Sequence, residues 1–320
     1  MKVTVLGCGR WGTFLAWYAS KIGHNVMLWG REGSKNLQEL EANRKNEYLT
    51  LTDDINLTNS LDKAVSFGDI IIISISAQQL RVFAKQLSSY QNLENKIFVL
   101  CMKGLEAESG KRLTQVFKEE MGAHTRVAVW VGPGHVQDFV KGIPNCMVIG
   151  CEDVDVTKTV VNGFNSELIR FYYGQDLIGN EIGAATKNVI GLAAGMLDGL
   201  KYSSLKGALM SRGTRELSRL VRAMGGNDIT IYGLSHLGDY EATLFSQHSN
   251  NRKFGEDFVL GNNFNKLAEG VATIKALQKL SSQYDVELPI SNALYEVIFN
   301  SKDASKVLLD LFLRPVKFEF

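Results

Sequence analysis

A short apolar run, Val3 to Leu6, leads directly into Gly7-Cys8-Gly9-Arg10-Trp11-Gly12, and this strand-to-glycine-to-helix junction restricts the fold more than any other feature. Each glycine has its own task. The first permits a tight turn, the second lets a pyrophosphate approach the backbone, and the third lets helix and strand pack closely. Trp11, Phe14, Leu15, Tyr18, Ala19 and Ile22 then step by threes and fours, as on one helix face. That helix would bring amide donors and the positive end of its dipole to the turn. Gly7, Gly9 and Gly12 therefore read as a dinucleotide-binding loop. A glycine-rich turn without a ligand is the alternative, and its position between strand and helix weighs against it.

Further apolar runs of strand length follow: Val26 to Trp29, Ile70 to Ile75, Ile97 to Cys101, Val127 to Val131 and Met147 to Ile149. They read as buried parallel strands separated by helical periods such as Leu113, Val116, Phe117 and Glu120. This alternation predicts an α/β, Rossmann-type doubly wound sheet over residues 1–177. After about Tyr173 the runs become helical, over 182–200, 205–224, 263–284, 292–299 and 304–312, which predicts an all-α substrate-binding domain over 178–320.

Composition excludes several classes. The 35 basic residues nearly balance the 34 acidic ones, so no global field would draw the chain to nucleic acid or an anionic membrane. Cys8, Cys101, Cys146 and Cys151 form no C-x-x-C pair, and the five histidines lack metal-ligand spacing. Neither a metal nor a disulfide framework is expected. Lys2 opens a strand, leaving no room for a signal peptide, and no apolar run approaches the roughly 20 residues of a membrane span. These features predict a soluble cytoplasmic protein with no integral membrane association.

In an open α/β sheet the ligand lies beyond the carboxyl ends of the strands. Gly30-Arg31-Glu32 follows the second run, where an acid would bond a ribose 2′-hydroxyl. Arg31 would hold a 2′-phosphate or stack on adenine, leaning toward NADP, while Glu32 keeps NAD open. Ser74-Ile75-Ser76-Ala77 ends another run, Gly132-Pro133-Gly134-His135 ends a third, and Lys103-Gly104 follows Cys101-Met102. A lysine at a buried strand end is costly unless paired, which marks Lys103 as functional. Gly179, Gly183, Lys187, Gly191 and Gly195 fall at steps of four, leaving Lys187 on a smooth stripe. That stripe reads equally as open space around a working lysine or as a surface for close helix packing.

With these residues assembled, the chain resembles the NAD(P)-dependent glycerol-3-phosphate dehydrogenases over nearly its whole length. The carriers are residues 7–13 (GCGRWGT), 101–106 (CMKGLE), 131–135 (VGPGH), 185–190 (ATKNVI), 236–239 (HLGD), 249–255 (SNNRKFG) and 267–270 (LAEG). The resemblance implies NADP or NAD as cofactor and dihydroxyacetone phosphate as substrate, reduced to sn-glycerol 3-phosphate for phospholipid synthesis. It implies Lys187 as the proton-transferring lysine with Asp239 beside it, and Lys103 touching both substrate and nicotinamide end. Gly132, Ser249, Asn250 and Asn251 fall at substrate positions, and Arg10, Trp11, Arg31, Val136, Leu267 and Glu269 at cofactor positions. A homodimer is compatible with this reading.

Chemistry supports these roles. Hydride arriving at a ketone carbon leaves negative charge on oxygen, which needs a proton donor and a cation nearby. An ammonium at Lys187 supplies the proton directly, so reduction is expected to be the easier direction near neutral pH. Two departures bear on the substrate. Where the family usually carries Ser-Arg-Asn this chain has Ser249-Asn250-Asn251, so the missing cation would be replaced in part by Arg252 and Lys253, which follow at once. Gly134 stands where a small hydroxyl residue is usual, and Val136 where alanine is usual. A reductase of another small phosphorylated or acidic ketone is the second reading, and a non-catalytic dinucleotide sensor the third.

Overall fold

The computed structural model describes residues 1–316 and 318. Eight strands form one sheet: β1 (Lys2–Leu6), β2 (Asn25–Trp29), β3 (Asn56–Thr58), β4 (Ile70–Ile73), β5 (Ile97–Leu100), β6 (Val127–Val131), β7 (Asn145–Gly150) and β8 (Ile169–Gly174). Their order is β3-β2-β1-β4-β5-β6-β7-β8. The first six strands have the order of a dinucleotide-binding Rossmann sheet, and the reversal between β1 and β4 opens a crevice at their carboxyl ends. β4, β5 and β6 are buried at every position, which is why they read as continuous apolar runs.

Two features differ from the sequence reading. β7 runs antiparallel to β6, with Trp130 opposite Ile149, and is parallel only to β8, so not every run is a parallel strand. β3 and β8 also escape an apolar-run search. The first is a three-residue edge, and the second alternates buried with exposed residues, including Tyr172 and Tyr173. On the outer edge, the Phe171 amide is bonded by the side chain of Asn165 at 3.0 Å, which blunts it.

The chain divides into two compact units, 1–103 with 112–181 and 104–111 with 182–320. The sequence division at 177/178 falls inside the first turn of the long helix Leu177–Gly199. That turn belongs with the sheet because Glu181 accepts bonds from the Arg112 guanidinium, the Thr114 amide and the Thr114 hydroxyl, all in buried surroundings. In the helical unit, residues 182–197 of the long helix are buried on all sides, which makes it the central element. Around it come helices Lys206–Ala223, Asn250–Leu260, Glu269–Tyr284, Pro289–Phe299 and Ala304–Asp310. Helix Asn250–Leu260 was not predicted. Among the described residues no helix is long and apolar enough to cross a membrane.

Candidate active site

In the sheet unit the glycine loop has the geometry its sequence demands. Gly7 has φ +118°, and a Cβ there would stand 2.2 Å from the carbonyl oxygen of Ser74, at the end of β4. A Cβ on Gly12 would lie 1.8 Å from the oxygen of Gly7, so helix and loop touch backbone to backbone. Gly9 is different: a Cβ there would meet nothing within 4 Å, which leaves open space in front of the turn. Gly9 caps helix Arg10–Lys21, whose first turn carries no acidic residue. Open space, free approach to backbone and an uncompensated helix N-terminus together fit a pyrophosphate.

Around the loop, Arg10 donates to Gln137 Oε1 at 2.5 Å and lies over the Tyr48 ring, and the Trp11 ring packs on Phe14. Arg31 is exposed just beyond β2. Lys103 is half-buried past β5, and its Nζ donates to the carbonyl of Gly132 at 2.6 Å, which joins two of the strand-end segments. Gly132 has φ +128° and passes 3.0 Å from the Cα of Met147, measured from the position of a Cβ. The departure at Gly134 has a steric cause: with φ +146°, a Cβ would sit 2.3 Å from the Phe139 ring. Val136 is 1% exposed and packs in the sheet core.

In the helical unit, Lys187 is not in open space. Its Nζ lies 2.6 Å from Asp239 Oδ2 and donates to Thr243 Oγ1 at 2.8 Å, with the lysine and aspartate side chains 8% and 1% exposed. Burial of either charge alone would cost several kcal/mol, which the pairing offsets. Of the two readings of the glycine stripe, the structure has close packing and not open space. Gly183 packs against Ser235 and His236, Gly191 against Thr243, and Gly195 against the backbone of Arg252 and Glu256. Close packing is what brings the Asp239–Thr243 turn onto the lysine.

Thr243 was missed by sequence reasoning, and no motif announces it. It sits in a π-helical turn, Glu241–Phe245, and its hydroxyl donates to the carbonyl of Asp239 at 2.7 Å while accepting from Lys187. Single π turns concentrate at working sites. His236 stands in the sequence only as the first residue of the motif at 236–239. It is fully buried, with Nδ1 2.9 Å from the Gly183 oxygen and Nε2 2.6 Å from the Tyr240 hydroxyl. Burial, with a smaller push from Lys187, lowers it to about 4, so it is neutral at pH 7.

Ser249 caps helix Asn250–Leu260 by accepting from the Arg252 amide at 3.3 Å. Asn250 is exposed in the first turn. Asn251 Oδ1 accepts from the Gly270 amide at 2.9 Å, tying this helix to the start of helix Glu269–Tyr284. Leu267 is exposed just before that start and Glu269 is its first residue. Arg252 does not stand free as a substitute cation. Its Nε bonds Asp198 at 2.7 Å, the same carboxylate that Lys206 reaches at 2.6 Å, and Glu256 lies 3.5 Å from its Nη1. Among the described residues, no cluster of three or more His, Cys, Asp or Glu is placed to hold a metal ion.

Comparison with known proteins adds three findings. The models of the NAD-dependent glycerol-3-phosphate dehydrogenase N-terminus and C-terminus match residues 2–157 and 176–309. Glycerol-3-phosphate dehydrogenase [NAD(P)+] of Fusobacterium nucleatum is 36% identical over 334 residues, covering 100% of this chain and 98% of the relative, and that of Chlorobium phaeobacteroides is 37% identical, covering 100% and 99%. The crystal structure of glycerol-3-phosphate dehydrogenase from Coxiella burnetii superposes with a TM-score of 0.90 at 24% identity, covering 98% of this chain and 99% of that one.

Proposed function

Because the chain belongs to the NAD-dependent glycerol-3-phosphate dehydrogenase family, we propose that Lys187 and Asp239 are its proton-transfer pair in the reduction of dihydroxyacetone phosphate to sn-glycerol 3-phosphate. The enzyme is an NAD(P)-dependent oxidoreductase acting on a CH–OH group. The observation that carries the assignment is the buried 2.6 Å contact between Lys187 and Asp239, with Thr243 as second acceptor.

When bound, the reduced nicotinamide supplies the hydride. Gly7, Gly9, Gly12 and the amides after Gly9 would hold the pyrophosphate, and Arg10 and Trp11 are proposed cofactor contacts beside them. Arg31 meets the adenosine end, and Lys103, Val136, Leu267 and Glu269 complete the cofactor contacts. As negative charge grows on the former carbonyl oxygen, Lys187 gives up a proton to it, and Asp239 with Thr243 fixes the direction of the ammonium. The residues proposed to bind the substrate are Lys103, Gly132, Ser249, Asn250, Asn251 and Arg252. Reduction is the easier direction near neutral pH because the protonated lysine is ready at the start. A homodimer in the cytoplasm, supplying phospholipid synthesis, belongs to the same proposal.

A second reading rests on the Asp198–Arg252 ion pair. With Arg252 engaged and Asn250 uncharged, phosphate recognition is weaker than an arginine would make it, and another small phosphorylated or acidic ketone becomes a competitor for the site. Oxidation of NADPH and NADH is to be followed with dihydroxyacetone phosphate beside a panel of such ketones. Turnover only with other ketones favours the second reading, and cofactor binding without any turnover removes both.

A further inference from the structure

We propose that His236 is a positioning residue for proton transfer: its imidazole braces the helical turn that carries Lys187 against the turn that carries Asp239. The inference rests on the role assigned above to that pair.

Only one tautomer satisfies the contacts. The Gly183 oxygen can only accept, so Nδ1 carries the hydrogen, and the neutral ring then accepts the Tyr240 O–H at Nε2. In a helix the carbonyl at 183 also accepts the amide of residue 187. The main chain of His236 acts on the other partner: its carbonyl accepts the Asp239 amide at 3.0 Å. One residue thus holds Lys187 through its side chain and Asp239 through its backbone. Gly183 is what admits the ring, since a Cβ there would lie 3.1 Å from the Cβ of His236.

Packing alone does not account for an imidazole at this place. The Gly183 carbonyl already has a helical partner, so the histidine is not needed to satisfy it, and an apolar side chain would fill the space without desolvating polar atoms. The titratable groups around the ring are Lys187 on the long helix, Asp239 and Tyr240 on its own segment, and Glu216 beyond Tyr240 on helix Lys206–Ala223. A charged imidazole would compete with Lys187 for Asp239, and burial prevents it.

Two substitutions divide the functions of the ring. In His236→Asn the amide nitrogen reaches the place of Nδ1, and in His236→Gln it reaches the place of Nε2. In an assay where the unmodified enzyme turns over, His236→Gln is expected to lower kcat about tenfold or more with both KM values within about twofold, and to enlarge the solvent isotope effect on kcat. His236→Asn is expected to recover kcat to within about threefold of the unmodified enzyme. Equal losses in the two variants, or a loss confined to KM, overturn the proposal. A readout free of turnover is the nitrogen NMR of the imidazole in the unmodified protein. Hydrogen on Nδ1 and a bare Nε2 between pH 6 and 8 are expected, and the opposite tautomer overturns the bond from which the bracing is argued. Absence of turnover in the unmodified enzyme would instead count against the assigned activity, and the NMR result would still decide the contact. If His236→Gln fails to fold, Tyr240→Phe removes the donor to Nε2, and with it the acceptor of the Thr214 hydroxyl, while leaving the Nδ1 bond in place. Because the Nδ1 bond stays, it is expected to keep kcat within about threefold of the unmodified enzyme, as His236→Asn does, and a tenfold loss of kcat overturns the proposal.

Discussion

Asp239 and Lys187 meet at 2.6 Å with both side chains almost wholly removed from solvent, so each is the other's principal charge partner. Replacing the lysine removes the proton donor and leaves a buried carboxylate behind. Lys187→Ala is expected to lower turnover by about 10²- to 10⁴-fold while NADPH or NADH affinity, read by cofactor fluorescence, changes by no more than about twofold. Loss of the lysine from this buried pair should also reduce stability by about 3–5 kcal/mol in denaturant melts. A parallel collapse of cofactor binding would mean that the lysine serves packing rather than chemistry.

The glycine loop separates structure from binding within six residues. Gly12→Ala places a Cβ 1.8 Å from the oxygen of Gly7 and is expected to abolish folding or lower Tm by well over about 10 °C. Gly9→Ala meets nothing within 4 Å and should leave Tm nearly unchanged. It should nonetheless weaken cofactor binding about tenfold or more, because the methyl enters the approach of the pyrophosphate. Unchanged affinity in Gly9→Ala would mean that the pyrophosphate does not pass there.

The buried histidine sets a pH dependence of stability. His236 titrates at about 4 in the folded chain and at about 6.5 when unfolded, so between these values the unfolded state binds a proton that the folded state refuses. Stability therefore rises with pH across that window and falls as pH drops from 6.5 toward 4, by about 3 kcal/mol for this group. Urea melts from pH 4 to 7.5 should give a steeper acid loss for the unmodified chain than for His236→Asn, which has no such group. Parallel curves would remove the assignment.

At the substrate end, Asn250→Arg puts a guanidinium on an exposed first turn beside Ser249. A charged hydrogen bond contributes about 1.5–3 kcal/mol, more than the roughly 0.3–1 kcal/mol by which the helix dipole disfavours a cation there. KM for dihydroxyacetone phosphate is expected to fall about tenfold in steady-state assays, with kcat little changed. No change would indicate that the phosphate is held elsewhere.

Much of this arrangement was legible in the residues. The glycine loop and most of the sheet strands announce themselves because buried parallel strands are apolar on both faces and because the tight turn tolerates only glycine. Lys187 and Asp239 came from matched motifs, and the resemblance set them side by side, yet the packing that joins them was not legible, since it depends on Gly183 and Gly191 letting the 235–243 segment approach. β3 and β8 were hidden by edge exposure, and the π turn bearing Thr243 by the absence of any local signal for five-residue hydrogen bonding. The engagement of Arg252 by Asp198 was equally unreadable: the two residues are far apart in the chain and join only when Gly195 seats the second helix.

The segment Gly104–Lys111 belongs to the helical unit although it is inserted in the sequence of the sheet unit, with Gly110 packed against Ala276 and Lys279 donating to the Glu108 carbonyl. The consequence concerns inheritance and engineering. A gene truncated to begin at 178 encodes the later helices without a part of their own unit, and one that stops at 177 carries a piece of another unit and lacks Glu181 for Arg112. A single recombination breakpoint cannot exchange either unit intact, so variants of this enzyme pass on both units together or repair three junctions at once.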